Sequence, residues 1–293
     1  MGFIINDTFI ILLSIIILIE IYDILEDFKM LKKMIKILIL ILIVQSNSYG
    51  NNKEELIFYV GITMVKPIDL LAKEFEKEFN CRIKILQGGS QDLYNSIKSS
   101  KIGDLYLPGS LSYRTNNLDD GLLLDGQFVG FNKLSFIVKK GNPKNIKSSL
   151  DELTNEDLSV VLGNDQSGSV GLATKKLLKK FNLYEKAIMN ATFLATDSRN
   201  LISAIKENKA DLTLNWHATI FWDGNKEFAE AILLDENLSS KSKLVINLLK
   251  TSKNPLLAKK FMDFASSQRG RDVFKDFGFL NENELKDFDK VTF

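Results

Sequence analysis

The sequence predicts an α/β protein with layers of mostly parallel sheet. Three observations carry this. The chain has 293 residues, enough for two lobes with separate cores. Strand-like apolar runs alternate with amphipathic helical runs from residue 51 onward. Four of the strand-to-helix joints are rich in glycine, serine and threonine, and such joints lie at the carboxyl ends of strands in an open α/β sheet.

The elements follow in order. "ELIFYV" (55–60) reads as a strand and "PIDLLAKEFEKEFN" (67–80) as a helix. In that helix Ile68, Leu71, Phe75 and Phe79 recur at three- and four-residue steps on one face. Pro67 suits its first position. "CRIKIL" is the next strand, "QDLYNSIKSS" a helix, "DLYL" a short strand and "KLSFIVKK" a longer one. "SLDELT" reads as a helical turn and "LSVVL" as a strand. "VGLATKKLLKKFN" is a helix with Val170, Ala173, Leu177 and Phe181 inward. Its lysines gather towards the C-terminus, where the helix dipole favours them. "RNLISAIKEN" (helix), "DLTLNW" and "SKLVINLLK" (strands) follow. "NPLLAKKFMDFASS" and "QRGRDVFKDFG" close the chain as helices.

Two apolar segments precede residue 51. "MLKKMIKILILILIVQSNSYG" (30–50) has a basic start, a short apolar run and a polar stretch ending in small residues. That is the pattern of a cleaved secretory signal. Its apolar run is too short to span a bilayer, and no cysteine sits there to take a lipid. The earlier "FIINDTFIILLSIIILIEIY" is interrupted by Asp7 and Glu20. The expectation is that translation starts at Met30 or Met34, with residues 1–29 an anchor if they are genuine.

Composition narrows the function. There are 38 basic and 37 acidic residues, a net charge of +1. A nucleic-acid binder would carry a basic stripe, so none is expected as a partner. One cysteine, Cys81, allows no internal disulfide and no zinc site of four cysteines. One histidine, His217, excludes any site needing two. No cofactor is implied, and an enzyme built on a distant Cys81–His217 pair is not expected.

The four joints carry the functional signal. They are "YVGITMVKP" with Gly61 and Thr63, "ILQGGSQDL" with Gly88, Gly89 and Ser90, "GNDQSGSVGL" with Ser167, Gly168 and Ser169, and "LATDSRNL" with Thr196, Asp197 and Ser198. A helix start has unpaired N–H groups and partial positive charge. Glycine lets another group come close, and hydroxyls add donors, so each joint is a ready anion site. Taken singly, each also reads as an ordinary N-cap. Neither G-x-x-x-x-G-K-[ST] nor G-x-G-x-x-G occurs, so nucleotide binding is unsupported.

With these joints in hand, residues 56–280 resemble the molybdate-binding group of solute-binding proteins that serve ABC importers. "LIFYVGITMVKPIDLLAKEFEKEF" is similar to that family's opening strand, loop and helix. "GGSQDLYNSI", "GDLYLPGS" and "LGNDQSGSVGLATKKLL" resemble its later segments, and "KNPLLAKKFMDFASSQRGRDVFKDFGF" its C-terminal signature. The resemblance implies a two-lobed type II periplasmic-binding fold with a hinge. Lobe I would span 51–132 plus 246–293, and lobe II 133–245. It implies a monomer in the periplasm that hands a small tetrahedral oxyanion to a permease and its ATPase. Carried over by position, Thr63 and Ser90 supply hydroxyls. Ser169, Val170 and Ser198 act mainly through backbone N–H groups. Trp216 stands where the family has tyrosine, with His217 beside it. Thr63 replaces the family's usual serine. An indole can only donate. These departures leave phosphate, sulfate or an organic anion as alternative ligands, and ligand sensing as an alternative role; ferric iron would need tyrosines or carboxylates converging on the cleft, where "NWH" supplies one good ligand. Asp165 would repel a dianion if it pointed inward, whereas Asp165 or Asp197 could accept a proton from phosphate.

Overall fold

The computed structural model describes residues 7–24, 33–40, 53–235, 238 and 241–293. The chain divides into two compact units, Met1–Lys53 and Glu54–Phe293. In the first, α1 (Asp7–Ile24) is followed by a helical stretch at 33–40. Among the described residues no helix is long and apolar enough to cross a membrane. The expected start at Met30 and the expected cleavage region at 45–50 lie outside the described residues.

The second unit begins with β1 (Glu55–Gly61), α2 (Val65–Phe79), β2 (Arg82–Gly88), α3 (Ser90–Ser100), β3 (Leu105–Leu107), β4 (Leu123–Asn132) and β5 (Leu134–Lys139). It continues with β6 (Val160–Gly163), α4 (Ser169–Lys180), α5 (Tyr184–Asn190), β7 (Ala191–Ala195), α6 (Ser198–Lys206), β8 (Leu212–Trp216) and β9 (Ala229–Leu233). It ends with β10 (Ser242–Leu249), α7 (Pro255–Ser266), α8 (Gln268–Asp276) and α9 (Glu282–Lys286). Two five-stranded sheets result, ordered β2-β1-β3-β10-β4 and β7-β6-β8-β5-β9.

The sheets are mixed rather than mostly parallel. β1 runs parallel to β2 and β3, and β6 parallel to β7 and β8. β10 runs against β3 and β4, and β5 against β8 and β9. The antiparallel pairs belong to the strands that carry the chain from one sheet to the other. Only Lys133 separates β4 from β5, so a strand of one sheet runs almost directly into a strand of the next. β4 and β9 escape a sequence reading for physical reasons. β4 holds two glycines and pairs with β10 through register shifts. β9 reads "AEAIL", good helix formers overridden by pairing with β5.

Each sheet has its own apolar core. Ile68, Leu71 and Phe75 of α2 are buried in the first, with Phe79 packed beside them. α2 starts at Val65, so Pro67 occupies the third position of the first turn, where its missing N–H still costs nothing. On α4 the buried face is Val170, Thr174, Leu177 and Leu178; Phe181, expected inward, is the exposed C-cap residue. Phe261 of α7 sits edge-on to both Phe58 of β1 and Phe75 of α2, at 5.6 and 5.2 Å between ring centres. Such pairs add to the area they bury. Phe261→Ala should therefore cost about 3–5 kcal/mol of unfolding free energy, read as a lower urea midpoint; a loss below about 1 kcal/mol would contradict this packing.

Candidate functional site

Five strand ends converge between the sheets. β1, β2 and β3 deliver Thr63, Ser90 and Gly109, while β6 and β7 deliver Ser169 and Ser198. Thr63, Ser90, Ser169, Val170 and Ser198 together line one small cavity with Gly89, Gly109, Met64 and Asp197. About 10 Å³ is open to the centre of a water molecule, room for about one water. No lysine or arginine lines it.

At the first joint the 3-10 turn Ile62–Met64 faces this space, and the Val65 N–H at the start of α2 donates to the Ile62 carbonyl. α2, α3 and α4 carry no side-chain cap. Ser90 and Ser169 are the first residues of their helices, and their hydroxyls bond elsewhere. Ser90 Oγ accepts the Gly109 N–H at 3.0 Å, and the Tyr106 hydroxyl donates to the Ser90 carbonyl at 2.8 Å. The Trp216 indole N–H donates to Ser169 Oγ at 3.3 Å. Thr63 Oγ1 donates to Ser198 Oγ at 3.4 Å, across the two sheets. The fourth joint does have a cap: Asp197 Oδ1 accepts the N–H groups of Arg199 and Asn200. Capping alone therefore describes one joint and not the other three.

Close contact between the sheets is possible because glycines sit at the meeting points. A Cβ on Gly109 would overlap Ser169 Oγ, and one on Gly89 would overlap the Ser167 carbonyl. Gly171 serves a different end from the expected approach of a ligand: its bare Cα lies against the Asn164 backbone and seats α4 on the end of β6. At the rim, Lys66 pairs with Asp223 at 2.7 Å and Arg199 Nη2 donates to Gln87 Oε1 at 2.9 Å. Both links join segments that belong to different sheets, and both are exposed, so each adds little by itself.

The remaining sequence candidates lie elsewhere. Asp165 does not line the cavity. It pairs with Lys175, whose hydrogen bond holds its carboxyl below the usual range. Trp216 is fully buried behind Ser169 rather than at the cavity wall. His217 lines a separate, larger cavity of about 730 Å³, with Lys133, Phe221, Leu280 and Lys241. Gly109 and Asn132 were missed from the sequence. Asn132 Nδ2 holds the Gly109 carbonyl at 2.9 Å. "LPGS" (107–110) has the same apolar-strand, glycine, serine order as the four joints, but only a one-turn helix, Ser112–Thr115, follows it.

With that geometry in place, comparison is informative. A family model for bacterial extracellular solute-binding proteins matches residues 56–280. The chain belongs to this family. A candidate ABC transporter substrate-binding lipoprotein of Bacillus subtilis, YvgL, is 22% identical over 81% of this chain and 91% of its own length. Among solved structures, the sulfate-binding protein SubI from Mycobacterium tuberculosis superposes with a TM-score of 0.68 at 14% identity. It covers 81% of this chain and 91% of its own. The periplasmic molybdate-binding protein of Azotobacter vinelandii gives 0.65 at 17%, over 77% and 99%. The fold of this family member is the type II periplasmic-binding architecture.

Two outcomes follow. Gly109→Ala should hold the sheets apart, giving a larger radius of gyration by X-ray scattering; a profile superposable on the parent would contradict the contact. Burial, with Lys133 and Lys226 nearby, pushes the His217 imidazole from its ordinary 6.5 down to about 4. The neutral ring is thus favoured in the folded state. Its contribution is complete above pH 6.5 and is lost as the pH falls towards 4. His217→Gln should flatten that acid limb by about 3 kcal/mol, measured by denaturant unfolding at pH 7 and pH 4; parallel limbs would contradict it.

Proposed function

We propose that the chain is an extracytoplasmic solute-binding protein that captures a small tetrahedral oxyanion, of the size of molybdate or sulfate, for an ABC-type importer. One observation carries this reading. Two helix starts without a side-chain cap, those of α3 and α4, a 3-10 turn (Ile62–Met64) and four hydroxyl side chains line a cavity with no basic side chain. Helix-start N–H groups and hydroxyls stabilise an anion without a counter-ion. The role is binding rather than catalysis.

In this reading Thr63 and Ser90 bind through hydroxyls, and Val170 and Ser198 through N–H groups. The lobes are the two sheets with their helices, and the boundary falls at the start of β10 rather than within it. Closure about the strands that join them buries the ion. The cavity has room for about one water, so any oxyanion enters only with the lobes parted. The importer role is supported by the family and by the name of the Bacillus subtilis relative. A second reading has its own support: Asp197 lines the cavity and could accept a proton from phosphate.

A thermal-shift panel of molybdate, tungstate, sulfate, phosphate, arsenate and ferric citrate tests these readings. A ligand at a hundred times its Kd stabilises by about 2.7 kcal/mol. Molybdate, tungstate or sulfate should raise the midpoint; phosphate or arsenate alone would favour the Asp197 reading; no response to any oxyanion would sink both. Ser90→Ala should weaken the responding anion about tenfold or more, and unchanged affinity would remove Ser90 from the site.

A further inference from the structure

Ser169 differs from the other cavity hydroxyls in what holds it. Its partner is an indole, which has one hydrogen to give and no lone pair to offer. Ser169 Oγ therefore accepts at that contact and has no use for its own hydrogen there. Among the described residues, the Trp216 contact is the one hydrogen bond of Ser169 Oγ. Ser169 is buried to 8% exposure and still lines the cavity. Its O–H is therefore uncommitted at the cavity it lines. Trp216 is itself fixed: it is 1% exposed, its backbone N–H donates to Asn215 Oδ1 at 2.8 Å, and its carbonyl accepts the Thr219 hydroxyl at 2.8 Å.

We propose that Trp216 is a positioning residue, whose indole N–H turns the Ser169 hydroxyl into a donor aimed at the bound anion. The proposal rests on the oxyanion reading above. It makes the Ser169 side chain part of the site, where the sequence suggested mainly its backbone. A tyrosine hydroxyl at position 216 could donate or accept, and would leave the direction of the serine hydrogen open. The indole removes that freedom, so the donor is set before the ligand arrives.

The test is a double-mutant cycle on the full chain, with molybdate and sulfate as probes in titration calorimetry. Ser169→Ala should weaken binding about tenfold. Trp216→Phe, which keeps a ring but loses the N–H, should weaken it by a similar factor. The double variant should bind no worse than Ser169→Ala alone. Equal fold-losses for Trp216→Phe with and without the serine hydroxyl would overturn the proposal and leave the ring as packing only. If Trp216→Phe does not fold, Ser169→Ala decides alone, because unchanged affinity there overturns the proposal. In the ligand-free protein, the Trp216 indole N–H resonance should move on Ser169→Ala; an unmoved resonance also overturns it. If the parent binds neither probe, the molybdate and sulfate reading falls and this proposal with it. If the parent binds and the cycle shows no coupling, only this proposal falls.

Discussion

The chain passes from the first sheet to the second through one residue. β4 ends at Asn132, β5 begins at Leu134, and each strand is hydrogen-bonded to its own sheet. The relation between the sheets, and so the meeting of five strand ends, depends on how Lys133 is held. Glu284 holds it at 2.6 Å and also holds Lys241, on the return segment, at 2.7 Å. Burial pushes the Glu284 carboxyl up, but bonds and charges from the two lysines outweigh this and leave it below the usual range. The same side chain completes a capping box at the start of α9 with Asn281. A single carboxylate therefore ties both connections to the C-terminal helices.

Electrostatics at the cleft are arranged by removal as much as by attraction. Asp165, on the loop before α4, is paired with Lys175, ten residues on, and kept out of the cavity. Lys66 and Arg199 stand beside cleft joints, yet both are engaged at the rim. What faces the cavity is dipolar rather than charged, apart from Asp197. A surface of fixed dipoles distinguishes ions by size and by where their protons lie.

Much of the fold was legible because strand, joint and helix recur with regular chemistry. Ile68, Leu71 and Phe75 announced the buried face of α2, and the glycine- and serine-rich joints announced the cleft. The misses share a cause: they depend on residues far apart in sequence. β9 becomes a strand only because β5 lies beside it. Gly109 matters because Ser169 sits opposite, and Trp216, expected at the ligand, lies behind Ser169 instead. His217 follows Trp216 in sequence but faces another cavity, because the chain turns into a 3-10 helix there, His217–Phe221. Adjacency in sequence is a poor guide at the end of a strand.

The strand order of the first sheet also bears on how the molecule assembles. β10 lies between β3 and β4, although it is made more than a hundred residues after both. Until it arrives, β4 has no partner strand in the sheet and β3 has an open edge. The first sheet thus closes only when most of the chain exists, through contacts of long sequence separation that form slowly. The second sheet, drawn from one continuous stretch of chain, has no such wait. A nascent or newly released chain therefore spends its early life with the first half unfinished, and the last quarter of the sequence decides when the molecule becomes whole.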